Sequence, residues 1–108
     1  MTDDSEKALE LVEIARTTGK IRKGSNEVTK MLERGKAKLV VVASDASPPE
    51  IIMHLPVLAK EKNVPYVTVS SKEDLGAAAG LPVPTSAVAV VDEGDAKTLL
   101  KQLSTKGE

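Results

Sequence analysis

The chain has 108 residues, 41% apolar and 29% charged, with a formal net charge of −1, values that suit one soluble globular domain with a single modest core. It contains no cysteine, one histidine and one aromatic residue, Tyr66. Disulfides, thiolate metal sites, thiol nucleophiles and a conventional zinc cluster are thereby excluded, and so is nucleic-acid binding on a series of stacked aromatic rings.

No apolar run is long enough to span a bilayer, and Met1 leads into the acidic Thr2-Asp3-Asp4-Ser5-Glu6 rather than a charged-then-apolar leader. The expectation is a cytoplasmic protein. Ala8, Leu11, Val12 and Ala15 recur at helical spacing and predict a first helix over 6–17, with Ser5 as its N-cap and Thr18-Gly19 as its end. Lys20-Ile21-Arg22-Lys23 reads as a short extended piece. Gly24 turns the chain into a second helix that begins near Ser25 and stops at Gly35.

Leu39-Val40-Val41-Val42-Ala43 is a continuous apolar run, the pattern of a strand covered on both faces. Ser47-Pro48-Pro49-Glu50 then combines capping-box spacing with a proline suited to the first helical position. Ile51, Ile52, Leu55, Leu58 and Ala59 form that helix's apolar stripe, which Pro56 should kink or interrupt. Val64 to Val69 reads as the next strand. Ser71-Lys72-Glu73-Asp74 caps a short helix that Gly80 stops, and Leu81-Pro82-Val83-Pro84-Thr85-Ser86 forms a loop stiffened by two prolines. Ala87 to Val91 is a last strand. Ala96, Leu99, Leu100 and Leu103 mark a final helix, with 106–108 fraying beyond it. This alternation predicts one α/β domain over 1–108: a three-layer α/β/α sandwich of about four strands in a mixed sheet and about five helices.

Charge is sharply segregated along the chain. Between Arg16 and Lys38 there are eight basic and two acidic residues, a net +6, against −7 for the remainder. Such a block is the electrostatic footprint of a polyanion binder, although a solvated charged face would also produce it. The second helix refines the reading. With Asn26 at zero on a helical wheel, Lys30 falls at about 40°, Arg34 at about 80° and Glu27 at about 100°, while Val28, Met31 and Leu32 lie opposite.

Cations neutralise phosphates, and the free N–H groups of a helix start bind anions. Asn26 offers both a donor and an acceptor. Glu27, when ionised, only accepts, so within a basic patch it suits donor groups such as base N–H rather than phosphate. Gly24 permits close backbone approach because it has no Cβ. Physics alone leaves base reading and an ordinary solvated helix start about equally weighted.

Gly24-Ser25-Asn26-Glu27-Val28-Thr29-Lys30 resembles the signature of the archaeal large-subunit ribosomal proteins of the L-seven-Ae type, a kink-turn RNA-binding family. Leu39 to Glu50, His54-Leu55-Pro56-Val57-Leu58, Lys62 to Val67 and Leu75-Gly76-Ala77-Ala78-Ala79-Gly80 resemble it as well, so the likeness covers nearly the whole chain in order. The resemblance implies a non-catalytic protein without cofactor or metal. It would recognise tandem sheared G·A pairs beside a sharp bend in RNA. Asn26, Glu27 and Lys30 would face those pairs. Gly24 would bring backbone close to the RNA. Lys23, Arg34 and Lys36 would meet phosphates, and Lys72 would approach from the short helix. Leu81, Pro82 and Val83 would press against bases that protrude from the bend; Pro82 stands at a position that varies in the family.

The partners implied are ribosomal RNA, box C/D and H/ACA guide RNAs, ribonuclease P RNA with its role in tRNA processing, and the scaffold proteins of the guide particles. The rival from another class is a small α/β enzyme or phosphocarrier using Ser44 or Asp45 at a strand end. His54, without an obvious partner set, weighs against it. Magnesium at Asp45 with Glu50, or at Asp92, Glu93 and Asp95, is less well supported than turn and cap roles. The Gly76-to-Gly80 GxxxG spacing is too short and too near prolines for a membrane motif, which leaves close packing or close approach by RNA. No GxGxxG or P-loop is present.

Overall fold

The two hydrophobic periods alternate in the computed structural model, which describes residues 4–45 and 50–106, as they do in the sequence. The elements run α1 (Asp4–Thr18), β1 (Lys20–Lys23), α2 (Ser25–Glu33), β2 (Leu39–Ala43), α3 (Glu50–Glu61), β3 (Tyr66–Val69), α4 (Lys72–Ala78), β4 (Ala87–Asp92) and α5 (Lys97–Lys106). A single 3-10 turn, Gly94–Ala96, precedes α5.

The strands form one mixed sheet in the order β1-β4-β2-β3. β4 is antiparallel to both β1 and β2, and β2 is parallel to β3. Therefore β1, β2 and β3 all run toward one edge of the sheet, and β4 begins there.

Strand alternation explains the two cores. Leu39, Val41 and Ala43 of β2, with Val88 and Val90 of β4, pack against Ala8, Leu11, Val12 and Ala15 of α1 and Leu75 and Ala78 of α4. Val40 and Val42, with Ala87 and Ala89, face Val28, Met31 and Leu32 of α2 and Leu55 and Ala59 of α3. All five residues of β2 are buried, because helices cover both faces. Each fully buried Val or Leu adds roughly 1.5–3 kcal/mol to the gross stability.

Several local expectations shift by a few residues. α1 already includes Ser5, so Ser5 is not its N-cap. The expected helix start at 47–49 lies outside the described residues. α3 is not interrupted at Pro56 and continues to Glu61. Leu55 and Ala59 seat it in the core, and tertiary packing carries the helix across the hydrogen bond that proline cannot make. β3 starts at Tyr66 rather than Val64, since the Val64 N–H is used to close α3 on the Ala59 carbonyl at 2.8 Å. Asn63, at φ 59°, makes the left-handed turn that this closure needs. The helix that begins at Lys97 still includes Lys106.

Candidate nucleic-acid interface

The edge where β1, β2 and β3 end gathers four segments. The Gly24 N–H, just before α2, donates to the Ala87 carbonyl at 2.9 Å. At the end of β2, the Ala43 N–H donates to Ser86 at 2.9 Å and the Ser44 N–H to Val69 at 2.7 Å. The Asp45 carboxylate accepts from the Lys72 N–H at 2.8 Å. Backbone groups of the start of α2, the end of β2, the start of α4 and the approach to β4 are thus bonded into one rim.

On this rim α2 presents its polar side. Val28, Met31 and Leu32 are buried, Glu27 is half-buried, and Asn26, Lys30 and Arg34 are exposed. Gly24, at φ 95°, is the N-cap and contributes no side-chain hydrogen bond to the first turn. The first helical bond is Val28 N–H to the Gly24 carbonyl, at 3.0 Å. The N–H groups before it point outward beside Asn26 and Glu27. The Lys30 ammonium stands 3.9 Å from the Glu27 carboxylate, so the two lie side by side on the exposed surface.

Lys23 is exposed at the end of β1, next to Gly24. Arg34 lies about 12 Å along the helix axis from Asn26. Lys36 is farther still: after Gly35, at φ 70°, the chain turns toward the opposite edge, where the Lys38 N–H meets the Val90 carbonyl at 2.7 Å. Arg34 and Lys36 therefore lie on the flank of α2 and not on the rim. Among the described residues Lys23, Arg34, Lys36 and Lys72 form no ion pair, whereas Lys38 is held by Glu93 at 3.3 Å.

The loop before β4 is strapped to α4. The Leu81 N–H donates to the Gly76 carbonyl at 2.9 Å, and the Thr85 N–H donates to the Lys72 carbonyl at 3.1 Å. Between these ties the Val83 carbonyl oxygen rests on Gly76, where any Cβ would overlap it. Of the two readings of the GxxxG spacing, close packing is what the fold uses at Gly76. Pro82 and Val83 are exposed, Leu81 is half-buried against the α1 side of the core, and Lys72 is half-buried below them. The Ser71 hydroxyl accepts from the Asp74 N–H at 3.2 Å, the cap that the sequence foretells.

Asp45, Asp92 and Glu93 have side-chain partners, and Asp95 is held through its backbone N–H. Asp45 is engaged by Lys72. The Asp92 carboxylate accepts from the Gly94 N–H at 3.0 Å, and the Asp95 N–H donates to the Thr18 hydroxyl at 2.9 Å. The Glu93 carboxyl is held below its ordinary pKa, first by its own backbone N–H and then by Lys38. His54 is exposed on α3. No group of three His, Cys, Asp or Glu residues gathers to hold a metal among the described residues, and no described helix is long and apolar enough to cross a membrane. The periodicity of the sequence does not reveal that Asp45 would be drawn to α4, because the two segments are far apart along the chain.

The fold is thus a three-layer α/β domain in which the exposed polar side of α2 and a strapped loop with exposed Pro82 and Val83 accompany one sheet edge. Residues 6–100 match the model of the Ribosomal protein L7Ae/L30e/S12e/Gadd45 family, and the chain belongs to that family. Among solved structures it is similar to the Giardia lamblia 15.5kD RNA binding protein, at 36% identity and a TM-score of 0.90. That match covers 98% of this chain and 88% of the other.

Proposed function

We propose that this protein binds RNA at the rim formed by the start of α2, the start of α4 and the 81–83 loop, and that the element recognised is a kink-turn. The observation that carries the reading is the meeting of two chemistries on one edge. Asn26, Glu27 and Lys30 offer donors, acceptors and charge beside Gly24, which is bonded to the start of β4, and the loop that leads into β4 offers exposed apolar surface at Pro82 and Val83. Membership of the family and the likeness to an RNA binding protein from Giardia lamblia support it.

On this reading Asn26, Glu27 and Lys30 address the edges of sheared G·A pairs, with Gly24 admitting the backbone. Lys23 and Lys72 meet phosphates at the bend, and Arg34 and Lys36 meet phosphates of the flanking duplex. Leu81, Pro82 and Val83 contact a protruding base. Phosphate contacts supply salt-dependent affinity and base-edge contacts supply selectivity. The protein acts by holding one RNA shape and performs no covalent step. The settings that follow are the large ribosomal subunit, box C/D and H/ACA guide particles with their scaffold proteins, and ribonuclease P, in the cytoplasm of an archaeal-type cell.

The test is titration with a kink-turn RNA and with a copy whose G·A pairs are replaced by Watson–Crick pairs. Tight binding to the first and weak, salt-labile binding to the second is the expected result. Equal binding to both would overturn the reading.

A further inference from the structure

We propose that Gly76 is a positioning residue that sets the height of the 81–83 loop, and through it the response of the protein to the protruding nucleobase. This inference rests on the RNA-binding reading of the rim. The loop runs back along α4, tied at Leu81 to Gly76 and at Thr85 to Lys72. Its middle lies directly on the helix: a Cβ at Gly76 would overlap the Val83 carbonyl oxygen and come within 3.0 Å of the Pro84 Cα. Both neighbours are backbone, so no side-chain rotation relieves the overlap.

The loop has little freedom to absorb such a push. Pro82 and Pro84 fix two of its φ angles. With both ends hydrogen-bonded, the segment between them rises as a unit, by about an ångström for ordinary van der Waals contact to return. Val83, 58% exposed, sits at the crest of that unit and would leave the plane in which it meets a base. Gly80 has no equivalent role. It stands at φ 78°, and the three atoms nearest to a Cβ there all belong to the flexible side chain of Arg16.

The experiment compares a kink-turn RNA carrying the protruding base with the same RNA made abasic at that nucleotide. Wild-type protein is expected to prefer the base by about tenfold, the scale of one base contact. Gly76→Ala is expected to bind the abasic RNA as wild type does and to lose the preference. Val83→Ala should lose it too, with no further loss in the double variant. A Gly76→Ala protein that keeps the preference, or that weakens equally on both RNAs, would overturn the assignment, since the latter marks a role in stability alone.

Pro84→Gly loosens the same loop without adding a heavy atom and serves if Gly76→Ala does not fold; a preserved preference in that variant would also overturn it. Wild-type protein that binds the kink-turn but ignores the base would overturn this inference alone. Absence of kink-turn binding would overturn the functional reading and this inference with it.

Discussion

Asp45 Oδ1 accepts a hydrogen bond from the Lys72 N–H at 2.8 Å, joining the turn after β2 to the first residue of α4. The carboxylate lies at the amino end of a helix, where its charge is favourable and an otherwise unpaired donor is satisfied. Asp45→Ala is expected to lower stability by about 1 kcal/mol, the usual value of a helix-start partner. Asp45→Asn, which keeps an acceptor but not the charge, should lose less. Denaturant melts of the three proteins check the order; equal midpoints would show that water replaces the carboxylate without loss.

Lys30 and Glu27 separate charge from reading. Lys30→Ala should weaken kink-turn binding and reduce the salt slope by about one, as for a single lost phosphate or base-edge cation. Glu27→Ala removes an acceptor that phosphate would repel, so it should relax selectivity between G·A and Watson–Crick RNA more than it lowers overall attraction. Gel shifts across a salt series measure both, with circular dichroism confirming the fold. If both variants bind as wild type does, the recognition face lies elsewhere.

Distance along α2 gives a further prediction. Arg34 and Lys36 lie on the flank, about 12 Å or more from the rim. Replacing either by alanine should weaken binding only when the RNA carries a duplex arm long enough to reach them. Trimming that arm should erase the effect of Arg34→Ala and Lys36→Ala while leaving that of Lys30→Ala. A deficit that persists on trimmed RNA would put these cations at the bend itself.

Glu93 makes a stability prediction with a definite sign. Its side chain is 12% exposed, its own backbone N–H and Lys38 stabilise the carboxylate, and its folded pKa is therefore depressed. A depressed carboxyl pKa contributes stability that is fully present above the unfolded value, about 4.3, and is lost as pH falls through the lower folded value. Lys38 is largely exposed, which keeps the pair's coupling to about 0.5 kcal/mol. The difference in unfolding free energy between wild type and Glu93→Gln should be constant near neutral pH and shrink only in the acid range. A difference that grows on acidification would reverse the assignment.

Much of the architecture was legible because periodicity is local. The run from Leu39 to Ala43 has the pattern of a strand covered on both sides, and Val28, Met31 and Leu32 fall on the side of α2 opposite Asn26, Lys30 and Arg34. The structure departs from the sequence pattern where packing, a competing hydrogen bond or a shifted helix boundary outweighs a local rule. Pro56 was expected to kink or interrupt its helix; α3 is not interrupted there, since the packing of Leu55 and Ala59 carries it through. Val64 has strand propensity, but its N–H was taken by the end of α3. Ser5 has the chemistry of a cap, but the helix begins before it.

Composition and spacing by themselves determined the alternation of helices and strands, the two-sided burial of the central strand, the basic block and the polar side of α2, since each depends on neighbours within a few residues. Only the tertiary structure decided what shares an edge. β4 runs antiparallel between β1 and β2, which brings Gly24 to the start of β4, while the bonds of Asp45 and Thr85 to Lys72 add α4 and the 81–83 loop, and the length of α2 carries Lys36 away. It also turned Gly76 from a spacing into a contact, because the loop that rests on it is fixed by hydrogen bonds to α4, and no local pattern encodes how one segment lies upon another.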